Sequence, residues 1–367
     1  MSEMPHDQIL VIGASGTVGG GAAQFLASTE GVQFTVSSST QAGADALASR
    51  YGVAARVLDL GDPTGLAHIL AGHRHVVQAA GPAGLVGDRV CAAALAAGSL
   101  VVDVTGGELY AGVAAGGEGR CVHSAGVYPG LTEVWADHVI STSLDECQRV
   151  EIYLAGNGGF SATGNLDVLA SLADGTTVAM AHLVAEQTVV AAEGVRSVVL
   201  PPPVGRVRAL PVVGPGLRAL AARRRIGRAV YYNTFSDSAA LEQMMAVRAE
   251  LDTGVLPRDL AVRMSAHNPP AGQDGHCMVF VSARGRRGGT PTRVDGAILL
   301  PTDWNTGSGW VAAATLLALR AGAGSGGPCH VCSALDAVDP AAVIEALVSH
   351  GARCRIAAKE VPDDASR

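Results

Sequence analysis

The chain has 367 residues, enough for two domains of roughly 150 residues each. Hydrophobic residues make up 48% and charged residues 16%, which supplies material for cores and excludes a disordered chain. The net charge of -7 gives no footing for a nucleic-acid partner.

No uncharged apolar run reaches the roughly 18 residues of a membrane span, and the N-terminus lacks the basic and apolar regions of a signal peptide. The seven cysteines are odd in number and scattered, unlike a disulfide framework. The expectation is a soluble, cytoplasmic, reduced protein with no membrane partner.

The first part alternates strand-like and helix-like runs. Strands are expected at 9–12, 34–37, 55–58, 75–79, 100–104 and 121–124. Helices are expected between them at 17–29, 45–51, 63–71 and 88–97. This rhythm predicts a doubly wound parallel sheet, a Rossmann domain over 1–129. A helix at 131–141 opens a different pattern, with longer strands at 149–155, 228–235, 245–252, 276–284 and 292–300 and a helix at 165–173. That reads as an α+β domain over 130–309 with a mostly antiparallel sheet. Amphipathic helices at 310–320 and 340–350 are expected to carry the segment 310–367 back to the Rossmann domain. Between Arg196 and Arg228 lie eight arginines and no carboxylate, interrupted by prolines. It reads as a surface excursion, as a site for substrate carboxylates, or as a dock for an acidic carrier protein.

The strand Ile9–Ile12 runs directly into Gly13-Ala-Ser-Gly16-Thr-Val-Gly19. In such a turn Gly13 permits the tight bend, Gly16 lets backbone approach a pyrophosphate, and Gly19 allows helix and strand to pack closely. Ser15, Thr17 and Val18 complete the turn. The pyrophosphate then meets the N-terminus of the following helix. An acid at the end of the second strand would select NAD. This chain has Ser37, Ser38, Ser39 and Thr40 there, which favours NADP, with NAD still possible. Asp59, ending the third strand, is an adenine-side candidate or a helix cap.

Beyond the turn come Ala79-Ala80-Gly81-Pro82, then Gly87, then Val101-Val-Asp-Val-Thr-Gly106 with Glu108, then Ser124-Ala-Gly-Val-Tyr-Pro-Gly-Leu131. This succession resembles the saccharopine dehydrogenase-like NAD(P)-dependent oxidoreductases. The resemblance implies a Rossmann domain, an α+β domain whose sheet often mediates dimerisation, and a C-terminal return. It implies that Ala80, Gly81 and Pro82 border the ribose and nicotinamide, and that Thr105, Gly106, Tyr128 and Pro129 lie at the mouth of a cleft.

The chain's single lysine is Lys359, and no tyrosine has a lysine four residues on. That excludes the Tyr-x-x-x-Lys mechanism and argues against lysine-assisted saccharopine chemistry. Cys329-His330-Val331-Cys332 is a lone C-x-x-C without a second pair, more readily an incidental loop than zinc. What remains suits reduction of an imine or iminium, whose positive charge reduces the need for acid catalysis. Candidate proton donors are Tyr128, Glu108 and Asp103. Tyr128, Asn157, Trp304 and Trp310 are candidates to line a small-molecule substrate site. Two other readings stay open: a trans-acting enoyl or carbonyl reductase on a carrier-bound or lipid substrate, and a non-catalytic NADP-binding regulator.

Overall fold

Four consecutive aliphatic residues, all buried, form the first strand, β1 (Ile9–Ile12). A strand covered on both faces reads as an unbroken apolar run rather than an alternation. The computed structural model describes residues 8–110, 112–113, 118–158, 162–173, 175–190, 194–236, 241–242, 245–247, 249–250, 253, 257–265, 275–324 and 330–363. The chain divides into two units, residues 1–131 with 304–350 and residues 132–303 with 351–367.

In the first unit β1 is joined by β2 (Phe34–Ser38), β3 (Ala54–Val57), β4 (His75–Gln78), β5 (Leu100–Asp103), β6 (Arg120–His123) and, late in the chain, β16 (Val331–Ser333). All pairings are parallel, in the order β16-β6-β5-β4-β1-β2-β3. This is the Rossmann order 3-2-1-4-5-6 with one strand added, and its switch point lies between β1 and β4. The crossover helices are α1 (Thr17–Ala27), α2 (Gln41–Tyr51), α3 (Pro63–Ala71) and α4 (Ala83–Ala97). Asp62, not Asp59, caps α3, accepting from the Thr64 amide at 3.0 Å.

The helix Trp304–Arg320 packs along α1. A methyl on Gly309 would sit 2.9 Å from the Gly21 carbonyl carbon, so the two backbones touch at this crossing. Trp310 packs edge-on against Phe25 with ring centroids 5.8 Å apart, and His350 stacks on the same Phe25 ring at 3.6 Å. Burying Phe25 and Trp310 contributes on the order of 3 kcal/mol each.

The second unit holds a mixed ten-stranded sheet. Its centre is β13 (Arg228–Phe235), β7 (Glu146–Gly156), β14 (Cys277–Arg287) and β15 (Thr290–Leu300), flanked by β17 (Arg353–Glu360). Only β13 with β7 is parallel along this path; the remaining pairings are antiparallel. Shorter strands β8 (Val178–Ala179), β9 (Ala181–Val184) and β10 (Gln187–Val190) complete it with the hairpin β11 (Arg196–Leu200) and β12 (Gly205–Val213). The helix α5 (Leu131–Ser143) covers one face, with Val139 and Trp135 filling the space left by Gly296.

Three expectations need correction or extension. Residues 245–247 and 249–250, read as a strand, are helical. Met245, Ala246, Ala249 and Glu250 are good helix formers, and Val247 packs with Leu260, Ala261 and Leu169 of α6 (Ala162–Ala173) as one side of a helical cluster. The Arg196–Arg228 stretch is not a loop but a hairpin followed by α7 (Pro215–Arg224). The return to the first unit runs from Trp304 to His350, after which β17 joins the second sheet beside β15.

Candidate dinucleotide site

The glycine turn is built by contacts that exclude side chains. Gly13 has φ +81, and a methyl there would lie 2.6 Å from the Ala80 amide nitrogen. A methyl on Gly19 would lie 2.5 Å from the Gly13 carbonyl carbon. Both positions are therefore fixed by the protein's own backbone. Gly16 differs: a methyl there would meet only the Gly13 oxygen, at 3.4 Å. Its glycine is not demanded by internal packing, which fits close approach of a ligand's phosphates.

Gly16 is also the N-cap of α1, with no side-chain cap and no acidic residue in the first turn. The free amides and the positive end of the helix are thus left for an anion. Ser15, Gly16 and Thr17 are exposed around this end, and Val18 is half-buried. The residues present fit a dinucleotide pyrophosphate.

At the end of β2, Ser37 and Ser38 are buried, whereas Ser39 and Thr40 are exposed. The Thr40 hydroxyl caps α2 by accepting from the Gly43 amide at 3.2 Å. No acid stands at this strand end. Asp59 is exposed, and its Oδ1 accepts from the Gly61 amide at 2.7 Å, so it shapes a turn.

The ends of β1, β4 and β5 lie side by side: Ile12 pairs with Gln78, and Gln78 with Asp103. Beyond β4, Ala79 and Ala80 touch the glycine turn, Gly81 is exposed, and Pro82, after a cis peptide bond, starts α4. Gln78 is buried; its Nε2 donates to the Ala80 oxygen at 2.9 Å, while its Oε1 has no partner among the described residues.

Asp103 is also buried, and its Oδ1 accepts from the Thr105 amide at 2.9 Å and from the Thr105 hydroxyl at 2.8 Å. Burial pushes its carboxyl above the usual carboxylate range, outweighing the hydrogen bonds from Tyr110 and Thr105 that pull it down. The Thr105 hydroxyl also meets the Tyr110 hydroxyl at 2.7 Å, which extends the chain of polar groups to Tyr110. Burial, with the Asp103 charge beside it, pushes the Tyr110 hydroxyl above the usual phenol range. His123, at the end of β6, stacks on Tyr110 with centroids 5.6 Å apart. Its Nδ1 lies 3.0 Å from the Ser124 hydroxyl, and burial lowers its pKa to about 4. Tyr110 and His123 were missed as candidates. Tyr110 follows the Asp-x-Thr run on a short 3-10 turn, Gly107–Tyr110, and only folding reveals its partner.

The remaining candidates separate. Tyr128 is half-buried in a turn that continues through the cis Tyr128–Pro129 bond. That turn is tied to the Trp304–Arg320 helix: the Val127 amide donates to the Ser308 hydroxyl at 3.1 Å, and Ser308 donates to the Trp304 oxygen at 2.9 Å. Trp304 is half-buried in that first turn. Trp310, expected to line a substrate pocket, is instead core packing against Phe25 and His350. Thr105 and Gly106 sit on the loop after β5; the Glu108 side chain lies outside the described residues, as do residues 159–161 after Asn157. Asn157 belongs to the second unit and accepts from the His276 amide at 2.8 Å. Cys332 is buried on β16, and Cys329 is outside the described residues. Among the described residues no cluster of metal-ligating side chains forms, and no helix is long and apolar enough to cross a membrane.

Comparison with known proteins agrees with this geometry. Residues 9–117 match the family described as the saccharopine dehydrogenase NADP binding domain. Saccharopine dehydrogenase (L-Glu forming) from Saccharomyces cerevisiae has a similar fold, with a TM-score of 0.71 at 14% identity over 97% of this chain and 100% of that one. DAP dehydrogenase from C. glutamicum, solved in complex with DAP, aligns only loosely, with a TM-score of 0.47 at 13% identity over 95% of this chain and 100% of that one. No curated protein sequence matches the chain. Over residues 9–117 the first unit thus matches the saccharopine dehydrogenase NADP binding domain, and its parallel sheet is of the Rossmann type.

Proposed function

We propose that the protein is an NADPH-dependent reductase that adds hydride to a C=N bond, an imine or iminium, of a small biosynthetic intermediate. The observation that carries this reading is the state of the sheet edge beside the cradle. There the strand-end acid, Asp103, is buried and engaged with Thr105. The chain's single lysine, Lys359, stands on β17 of the second unit, exposed. An iminium already carries the positive charge that a carbonyl must acquire from an acid, so it suits a sheet edge whose strand-end acid is occupied.

NADPH, when bound, supplies the hydride and leaves as NADP+. The Gly13–Gly19 turn and the first amides of α1 hold its pyrophosphate, and Ser39 with Thr40 receives the ribose phosphate. Ala80, Gly81 and Pro82 form the wall next to the ribose and nicotinamide. Asp103, Thr105 and Tyr110 fix the loop that follows β5. Tyr128 offers a hydroxyl for the proton that a neutral imine requires.

The test is NADPH oxidation against a panel of cyclic imines, ketones and enoyl thioesters. The reading expects turnover of a cyclic imine, with kcat/KM at least a hundredfold above that of any ketone or enoyl thioester. Turnover confined to enoyl thioesters or ketones would overturn it.

A further inference from the structure

The second unit carries a row of cations along one face of its sheet. Residues paired across neighbouring strands project to the same face. Arg228 on β13 pairs with Arg149 on β7, and Arg149 pairs with Arg284 on β14. Arg284 pairs in turn with Arg293 on β15, and Arg293 with Lys359 on β17. At roughly 4.8 Å between strands, the row spans about 19 Å.

Like charges placed directly opposite each other repel, so such a row needs counter-charge. The chain provides it at two positions. Arg149 Nη2 lies 2.7 Å from Glu151 Oε1, although Glu151 is shared with Arg196, and Arg293 Nε lies 2.9 Å from Asp295 Oδ1. Arg228 and Arg284 have no carboxylate partner among the described residues, and both are exposed.

Arg149, Arg228 and Arg284 line a cavity of about 180 Å³, open on one side. A β-bulge after Arg284 shifts the β14–β7 register at this point. Asp363 is the one carboxylate in the lining, and it is bound to Arg286 at 2.8 Å. Nearby, Asp145 Oδ2 accepts from the Gly288 amide, so it closes the β14–β15 turn. Three arginines from three adjacent strands thus line a space whose only acid is already paired.

We propose that this cavity binds a small phosphate-type dianion, free or as the phosphate of a small metabolite. It is a second anion site, formed within the second unit and independent of the dinucleotide cradle. Tetrahedral dianions offer several oxygens to planar guanidinium forks, whereas a monocarboxylate matches one fork and one charge.

The test uses the full chain with saturating NADP+, which fills the glycine cradle. Inorganic phosphate is titrated at constant ionic strength and followed by calorimetry and thermal melting. Phosphate is expected to bind and raise Tm where equivalent chloride or acetate does not. Arg228→Gln with Arg284→Gln is expected to weaken binding at least tenfold, with folding checked by circular dichroism. Glycerol 3-phosphate binding more tightly than inorganic phosphate marks a metabolite site; equal binding marks a free-phosphate site. Should the double variant fail to fold, protection of Arg228 and Arg284 from phenylglyoxal by phosphate replaces it. A phosphate response matched by chloride, unchanged in the variant, or without protection of these arginines overturns the proposal.

Discussion

The two units place charge in opposite ways. In the first, the interiors of β1, β4, β5 and β6 are uncharged, and Gln78, Asp103 and His123 stand at the C-terminal ends of β4, β5 and β6. In the second, arginines and carboxylates stand mid-strand: register sets arginine opposite arginine, and Glu151 and Asp295 each pair with an arginine two residues away on their own strand. A parallel sheet buried on both faces pushes chemistry to its edge, where the chain turns. A mixed sheet with one face less covered can carry charge along its length. Position along the chain therefore indicates a role in the first unit, whereas register determines it in the second.

The α5–α7 pair sharpens that comparison. Asp137 of α5 is buried, and Arg224 holds it through two hydrogen bonds, one of them at 2.9 Å, with Arg223 at 3.6 Å. A dock for an acidic carrier was one of the three readings of the stretch that holds these arginines. They hold a buried carboxylate instead, so charge reversal there would disturb folding before it tested docking. Arg225, one residue on, is exposed in a left-handed conformation at φ +52 that ends α7.

The largest effect is expected at the cradle. Gly19→Ala forces a methyl against the Gly13 carbonyl, and it should cost about 3 kcal/mol or more of stability and abolish NADP binding. Thermal melting and fluorescence titration with NADPH measure both. Arg224→Ala leaves the Asp137 carboxylate buried with its main partner gone, which costs about 3 kcal/mol in chemical denaturation. Arg225→Ala should fall within about 0.5 kcal/mol of the parent. Equal effects at 224 and 225 would break the contrast between engaged and free arginines.

Gly16→Ala separates folding from binding. The protein tolerates the methyl at 3.4 Å, so the expected stability change is under about 1 kcal/mol, while NADP affinity falls tenfold or more. A variant that melts early but binds normally would contradict the role given to Gly16. A separate effect concerns pH. The His123 pKa is lowered to about 4 by burial, below its unfolded value near 6.5. Between those values the unfolded chain binds more protons, so stability falls as pH drops from 6.5 toward 4, by up to ~1.4 kcal/mol per pH unit. His123→Gln should flatten that slope, as read from urea midpoints between pH 4 and 7.

Much of the first unit was legible because each signal is local. Ile9–Ile12 is a continuous apolar run, Gly13–Gly19 is a spacing, and Pro63 after Asp62 is a helix start. What was missed depends on contacts between distant residues. Tyr110 and His123 lie thirteen positions apart and meet only once β5 and β6 pair. Trp310 sits at a promising glycine-flanked helix start, yet Phe25 and His350 claim its ring. Met245 to Glu250 mixes apolar residues in a way a strand and a helix share, and packing with Leu169 and Leu260 decides it. The arginine density of 196–228 was plain, but Asp137 and Glu151, which hold three of those arginines, lie outside that segment.

The central claim is that the cradle of the first unit serves hydride transfer to a C=N bond. The most direct measurement is single-turnover reaction of a cyclic imine with NADPH deuterated at C4, for each face of the ring separately, with the amine read by mass spectrometry. The account predicts one deuterium on the former imine carbon from one face only. Tight NADPH binding without deuterium transfer to any imine, or transfer only to a ketone or enoyl thioester, would contradict it.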